Sequence, residues 1–439
     1  MKDKLKGSVG LRLLIIGVLS LVLLIPAVMI QFLISEREQR RVSAVFEVSD
    51  KWGKAQTLTG PILMIPYQRF VKDDKGNPVA LAERVYVLPE SLSIAAELLP
   101  ERRYRGIYEV ILYNARIKMR AHFAPLDLEG LNIAANDILW RDASLLLGIS
   151  DLKGIRDIIK INWNGKELVA NPGIEWKDVL ESGITVKPEL GPRAGSHDFA
   201  VDLNLNGSGE LQFLPVGKET RVTASSLWNN PSFIGQFLPV RREVQADRFR
   251  ADWKVLHLNR NYPQKWIGAQ PVLLASAFGA KLLLPVDEYQ KTMRTAKYAI
   301  MFIALTFLAF FMTEVLNRKV LHPVQYILIG LALILFYTLL LAVSEHVSFN
   351  RAYLISSAAI IGLITAYTKG MLANNAVTAV IAGILIVLYG FLFVILQLQD
   401  YALLLGSIGL FVILAIVMYL TRKIDWFALA QAGSEASRP

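Results

Sequence analysis

Leu13 opens the run LLIIGVLSLVLLIPAVMIQFLI, which closes at Ile34: 22 residues without a charge, interrupted only by Pro26. A helix crossing a hydrocarbon core of about 30 Å needs about 20 consecutive, mostly apolar residues, so this stretch is long enough to span. Lys2, Lys4 and Lys6 ahead of it resemble the basic start of a secretory signal. A signal core is shorter, about 7–15 residues, and ends in small residues at a cleavage site. This run ends Val28-Met29-Ile30-Gln31-Phe32-Leu33-Ile34, so it reads as an uncleaved anchor. Five further charge-free runs follow near the other end of the chain, at 298–313, 324–343, 352–368, 376–396 and 401–420. Six spans are expected, one followed by five.

Between the first span and the rest lies a different kind of sequence. Of 47 Lys and Arg, 36 fall in residues 35–297, together with 31 of the 37 Asp and Glu. Over the whole chain 54% of residues are hydrophobic and 19% charged, with a mean hydropathy of +0.40. Cytoplasmic loops carry an excess of Lys and Arg, counted over short loops only. Lys2, Lys4, Lys6 and Arg12, then Arg318 and Lys319, then Lys369, then Arg422 and Lys423 fall on one side of the resulting topology. The short loops on the other side hold only Arg351, against Glu345 and Asp400. Both termini are expected in the cytoplasm. The expected layout is a cytoplasmic start (1–12), an anchor (13–34), an extracytoplasmic domain (35–297), a five-span bundle (298–421) and a cytoplasmic tail (422–439). A net charge of +5 on residues 35–297 is mild, and a domain outside the cytoplasm meets no nucleic acid. The absence of cysteine excludes disulfides, thiolate metal sites and cysteine nucleophiles.

Period-two alternation dominates the domain, as in strands with one buried and one solvated face. Ile117, Met119, Ala121 and Phe123 alternate with Arg116, Lys118, Arg120 and His122; Phe249, Ala251, Trp253 and Val255 alternate with Arg248, Arg250, Asp252 and Lys254. Phe199, Val201, Leu203 and Leu205 do the same before Asn206-Gly207-Ser208-Gly209, where the alternation resumes at Leu211 and Phe213, a hairpin signal. Helical patterning is confined to 35–48, continuing the first span, and a short helix near 126–138. The fold class expected is an α+β membrane protein: a six-helix transmembrane region (1 + 5) with a large, mostly antiparallel, sandwich-like β domain inserted between spans one and two.

No phosphate-binding, dinucleotide-binding, nucleophile-elbow or zinc-protease motif occurs, and the five histidines are scattered singly. Ser196-His197-Asp198 has triad residue types, but neighbours on a strand point to opposite faces. No catalytic, cofactor or metal residue is therefore assigned, and the protein is expected not to be an enzyme. Two groups of candidates remain. Arg116, Lys118 and Arg120 would project from one strand face toward an anionic surface, although a solvated strand face carries the same pattern. Glu314, Arg318, Glu345, His346, Arg351 and Lys369 sit at span ends, where charge is least costly. Glu314 and Arg318 have i, i+4 spacing with the acid first, which favours an ion pair. Phe233, Ile234, Phe237 and Leu238, between Pro231 and Pro239, read as core, with a bilayer-resting loop as the other option.

The order of parts, an anchor, a long external β domain and five closing spans, resembles the CreD family of bacterial inner-membrane proteins. Residues 58–67 (LTGPILMIPY), 231–239 (PSFIGQFLP), Thr313-Glu314-Val315-Leu316, His322-Pro323-Val324-Gln325-Tyr326 and Ser344-Glu345-His346 carry the resemblance. It implies a multi-pass protein of the inner membrane with a role in envelope integrity, and supplies no activity or cofactor. The expected partners are the lipid bilayer and envelope polymers or other envelope proteins. A transporter or lipid-handling protein with a periplasmic platform is the alternative, and a membrane hydrolase or transferase a third. Polar residues at span centres would favour the transporter.

Overall fold

Pro26 sets the first feature of the structure, a computed structural model that describes residues 9–72, 77–128, 130–192, 195–269, 271–284, 288–317, 321–398 and 401–422. Proline lacks an N–H and its ring crowds the carbonyl four residues back. The first span accordingly divides into α1 (Val9–Val22) and α2 (Leu24–Trp52). Hydrogen bonds from Leu23 to Leu19 and from Ala27 to Leu23 carry the helix across the irregularity. Then come α3 (Glu288–Lys297), α4 (Ala299–Asn317), α5 (Pro323–Ser344), α6 (Phe349–Leu372), α7 (Asn375–Gln397) and α8 (Ala402–Thr421). Among the described residues, the α1–α2 helix and α4–α8 make six helices long and apolar enough to cross a membrane. The protein is an α+β membrane protein with one N-terminal and five C-terminal spans.

The chain divides into two units, Met1–Arg41 with Val286–Pro439, and Val42–Pro285. In the helical unit, Leu23, Ala27, Ile30 and Ile34 are buried, a stripe at helical spacing. The start of α5 explains one of the sequence motifs. His322 Nδ1 accepts from the Val324 N–H, the His322 N–H donates to Gln325 Oε1 at 2.8 Å, and Pro323 sits where no N–H is needed. Ala373 ends α6 in the left-handed conformation, and the Asn374 side chain caps α7. α8 packs on α7 through Gly409, against which the Phe391 ring lies, and buries only Ala402.

The β unit consists of two sheets around one apolar core. One runs Arg241–Val244, Phe249–Leu256, Glu219–Ser226, Ser91–Arg105, Tyr108–Phe123, His197–Ser208, Lys160–Trp163, Lys166–Val169. The other runs Pro231–Gly235, Phe278–Leu282, Glu210–Phe213, Gln56–Lys72, Ser144–Ile149, Gly183–Val186, Asn171–Pro172; Pro78–Val87 and Lys265–Ile267 extend it from Gln56–Lys72. Pairings among the described residues are antiparallel except Gln56–Lys72 with Glu210–Phe213 and Ser91–Arg105 with Glu219–Ser226. The alternating strands put Ile117, Met119, Val201, Leu203, Ala251 and Trp253 into the core.

Two expectations change. Asn206–Gly209 is not a hairpin turn: His197–Ser208 belongs to one sheet and Glu210–Phe213 to the other, so the chain passes between layers there. Alternation is unaltered by such a corner, because both strands keep one face toward the same core. The 126–138 segment holds only a 3₁₀ turn at Ala135–Asp137, and Glu129 lies outside the described residues. Phe233 and Phe237 are core, meeting Phe249, Trp253 and Phe278, whereas Leu238 is exposed.

Candidate functional site

Buried charge in the helical unit centres on Glu314. It is 4% exposed. Arg12 Nη1 of α1 donates to its Oε1 at 2.8 Å, and the Tyr326 hydroxyl of α5 donates to its Oε2 at 3.1 Å. The Tyr326 ring stands edge-on to Phe307 of α4. Three helices thus converge on one carboxylate whose two oxygens are both engaged, the condition for a buried charge to be tolerated. Thr313 and Asn317 bond to carbonyls of their own helix. Arg318, expected to pair with Glu314, lies outside the described residues.

A second polar group gathers where α2, α3 and the α5–α6 turn meet. Glu345 Oε1 accepts from the Tyr289 hydroxyl at 3.1 Å and lies 3.9 Å from Arg37 Nη1. Arg41 covers the Tyr289 ring at 5.3 Å. Glu288 Oε2 accepts the Phe349 N–H at 2.9 Å, so a neighbouring helix supplies the cap of α6. His346, Arg351 and Lys369 are exposed and make no ion pair among the described residues. Sequence spacing exposes i, i+4 pairs only; Arg12 and Glu314 are 302 positions apart and left no such signal.

Arg116, Lys118, Arg120 and His122 occupy the outer face of the eight-stranded sheet. Cross-strand register places Ser93 and Ala200 beside Arg120, Asp202 beside Lys118, and Glu97 beside Arg116. The small side chains Ser91, Ser93 and Ala200 leave a dip, part of an open groove of about 860 Å³ that Arg120, His122, Lys160, Asn162 and Asp198 also line. Arg116 reaches Glu97 only at 3.9 Å, and the side chains of Lys118 and Arg120 make no ion pair or hydrogen bond among the described residues. The groove carries both signs of charge: Asp198 bonds His122 Nδ1 at 2.7 Å, and Glu167 holds Lys160 at 3.0 Å.

Ser91, His122 and Asp198 stand in one cross-strand row. Asp198 is 80% exposed, and Ser91 makes no hydrogen bond to His122 among the described residues. A relay needs a buried, orienting carboxylate and a bonded hydroxyl, so the row lacks its elements. His197 faces inward, stacked on Trp163 at 4.9 Å. The Asp198 N–H donates to Asn164 Oδ1, which turns the Asn164 amide nitrogen toward His197 Nδ1 at 2.7 Å. Burial pushes the His197 pKa down, and a neutral ring is what an amide donor requires. Among the described residues no three His, Asp or Glu converge as metal ligands would.

The family described as inner membrane protein CreD matches residues 8–427. The inner membrane protein CreD of Escherichia coli (strain K12) is 33% identical over 425 residues, covering 95% of this chain and 94% of that protein. Among solved structures, an M1 zinc metallopeptidase from Deinococcus radiodurans overlaps 42% of each chain at 8% identity, with a TM-score of 0.18. A substrate-bound mutant of that peptidase covers 38% of this chain and 39% of its own, again at 8% and 0.18. Overlap that loose carries no argument about fold or activity. A match across nearly the whole length, together with a third of all positions shared with one member, makes this chain a member of the CreD family of inner membrane proteins.

Proposed function

We propose that this protein is a non-enzymatic component of the bacterial inner membrane that senses or supports envelope integrity, through a periplasmic β domain mechanically coupled to its helical bundle. Both termini lie in the cytoplasm on this reading, as the Lys and Arg of the short loops favour. Arg116, Lys118 and Arg120, with the mixed-charge groove beside them, are the surface that meets envelope polymers or other envelope proteins.

One observation carries the coupling: α2 is built into both units. Its first half is buried in the helical unit through Ala27, Ile30 and Ile34, and Gln31 donates to the Ala296 carbonyl. Its last turns are built into the β unit. Trp52 Nε1 donates to the Tyr113 carbonyl, Arg103 lies 4.3 Å over the Trp52 ring, and Glu47 pairs with Arg105. Asp50 accepts from Lys153 at 3.2 Å. Ordered helix between those anchors carries no glycine or proline after Pro26 up to Trp52. Helix transmits displacement, whereas a Gly/Ser coil absorbs it.

The test is a flexible insert of about ten Gly/Ser residues between Arg41 and Val42, where the units divide. The variant is expected to accumulate in the membrane at normal level and to fail to restore envelope integrity in cells lacking the protein. Full restoration would refute coupling through α2.

A further inference from the structure

His197 stands at one end of a short chain of hydrogen bonds that fixes a turn. Strands Lys160–Trp163 and Lys166–Val169 form a hairpin at the edge of the eight-stranded sheet. Its turn holds Asn164 and Gly165 at φ of +50° and +86°, the left-handed pair that a two-residue hairpin turn uses. Two bonds join the turn to strand His197–Ser208. The Asn164 N–H donates to the Asp198 carbonyl at 3.0 Å, and the Asp198 N–H donates to Asn164 Oδ1 at 2.7 Å. The second bond decides which way the amide points, so its nitrogen donates to His197 Nδ1 at 2.7 Å.

This arrangement has room for one ring proton only. With Nδ1 accepting, that proton sits on Nε2, which is buried and without a partner among the described residues. A second proton goes to Nδ1 and sets two donors against each other. Turning the amide over offers its oxygen to the charged ring, but sets its nitrogen against the Asp198 N–H. No arrangement keeps both bonds. The surroundings disfavour the charge as well. His197 is 6% exposed, stacked on Trp163 and opposite Phe123 in cross-strand register. Charged groups on the adjoining elements are tied to one another in solvent: His122 with Asp198, Lys166 with Glu189, and Lys160 with Glu167. Burial pulls the His197 pKa down and outweighs Asp198, which draws it up.

We propose that His197 and Asn164 form an acid-sensitive latch: the neutral ring holds the Asn164–Gly165 turn on strand His197–Ser208, and protonation frees that turn, which lines the open groove of the same sheet. A histidine whose folded-state pKa lies below the ordinary value of about 6.5 favours the neutral ring. The latch is therefore fully closed above about pH 6.5 and weakens as pH falls through that value toward the lowered one. The groove's role as a contact surface rests on the function proposed above; the latch and its test do not.

Amide hydrogen exchange of the full-length protein in lipid nanodiscs, corrected for the intrinsic pH dependence of exchange, reads the latch. Between about pH 7.5 and about pH 5.5, peptides covering Asn164 and Asp198 are expected to lose protection several-fold, while strand Phe249–Leu256 of the same sheet keeps its own. His197→Gln does not titrate and should abolish the response. Asn164→Asp puts an acceptor where the donor was, so acid should then tighten the turn rather than free it. His122→Gln should leave the response intact, because that ring lies on the outer face. Protection unchanged by acid, lost equally from strand Phe249–Leu256, or lost as before in His197→Gln overturns the latch. An unaltered acid response in Asn164→Asp overturns the part played by the amide, and a response abolished by His122→Gln belongs to the outer pair and overturns the latch as well.

Discussion

Glu314 shows how one side chain organises a bundle. Its carboxylate is engaged by Arg12 from the first span and Tyr326 from α5, so loss of either partner leaves polarity unpaired inside the bundle. Removing one member of a buried pair costs about 3–5 kcal/mol, mostly as the cost of the charge left behind. Replacing both with apolar groups of similar size is often close to neutral. Arg12→Met and Glu314→Leu should therefore each lower the thermal midpoint strongly, while the double variant recovers most of the loss. Independent, additive effects would show that the 2.8 Å contact contributes nothing. Tyr326→Phe removes one donor from an already paired carboxylate and should cost less, about 1 kcal/mol.

The corner at Gly207–Gly209 tests how elements are joined. Strand His197–Ser208 leaves one sheet and Glu210–Phe213 enters the other, and the two glycines serve different needs. At Gly207 a Cβ would stand 2.3 Å from the Tyr113 ring, whose hydroxyl donates to the Glu210 carbonyl across the corner. Gly209 has open space around it but a φ of +70°. Gly207→Ala should therefore cost about 1–3 kcal/mol through displaced packing, and Gly209→Ala about 1 kcal/mol through backbone strain alone. Protease resistance of the β unit in the full-length protein reads both, and equal effects would refute the distinction. The same corner marks the limit of legibility. Alternation told which residues of 197–208 face inward, because the pleat fixes that locally; it could not tell which sheet the next strand joins, because both sheets share one core. Span existence was legible from uninterrupted apolar runs. The partner of Glu314 was not, since a contact 302 positions away has no periodicity.

At the scale of the molecule, the two ion-paired ends of the first span argue for its orientation relative to the other helices. Arg12 meets Glu314 at the far end of α4, and Arg37 approaches Glu345 at the far end of α5. Those two positions are 25 residues apart, about 37 Å of helix, enough to cross a hydrocarbon core of about 30 Å with its interfaces. Because α4 and α5 are consecutive, with only five residues between them in sequence, their far ends lie on opposite sides of the membrane. The first span therefore runs from the Glu314 side to the Glu345 side. Basic residues lie close in sequence to the two members of this pair, Lys2, Lys4 and Lys6 to Arg12, and Arg318 and Lys319 to Glu314, and that side is expected to be cytoplasmic. Six crossings return the chain to the side on which it began. A fluorescent reporter fused after Thr421 should then mature in the cytoplasm, while alkaline phosphatase inserted between residues 165 and 166, in the exposed Gly165 turn, should be active. Phosphatase activity from the C-terminal fusion would require an odd number of crossings or the opposite orientation, and would refute the topology. Reversing the Arg12–Glu314 pair as Arg12→Glu with Glu314→Arg keeps the contact and removes one basic residue from the short N-terminal segment. If loop charge sets the orientation, the three remaining lysines should hold it, and both reporters should read as in the unaltered protein.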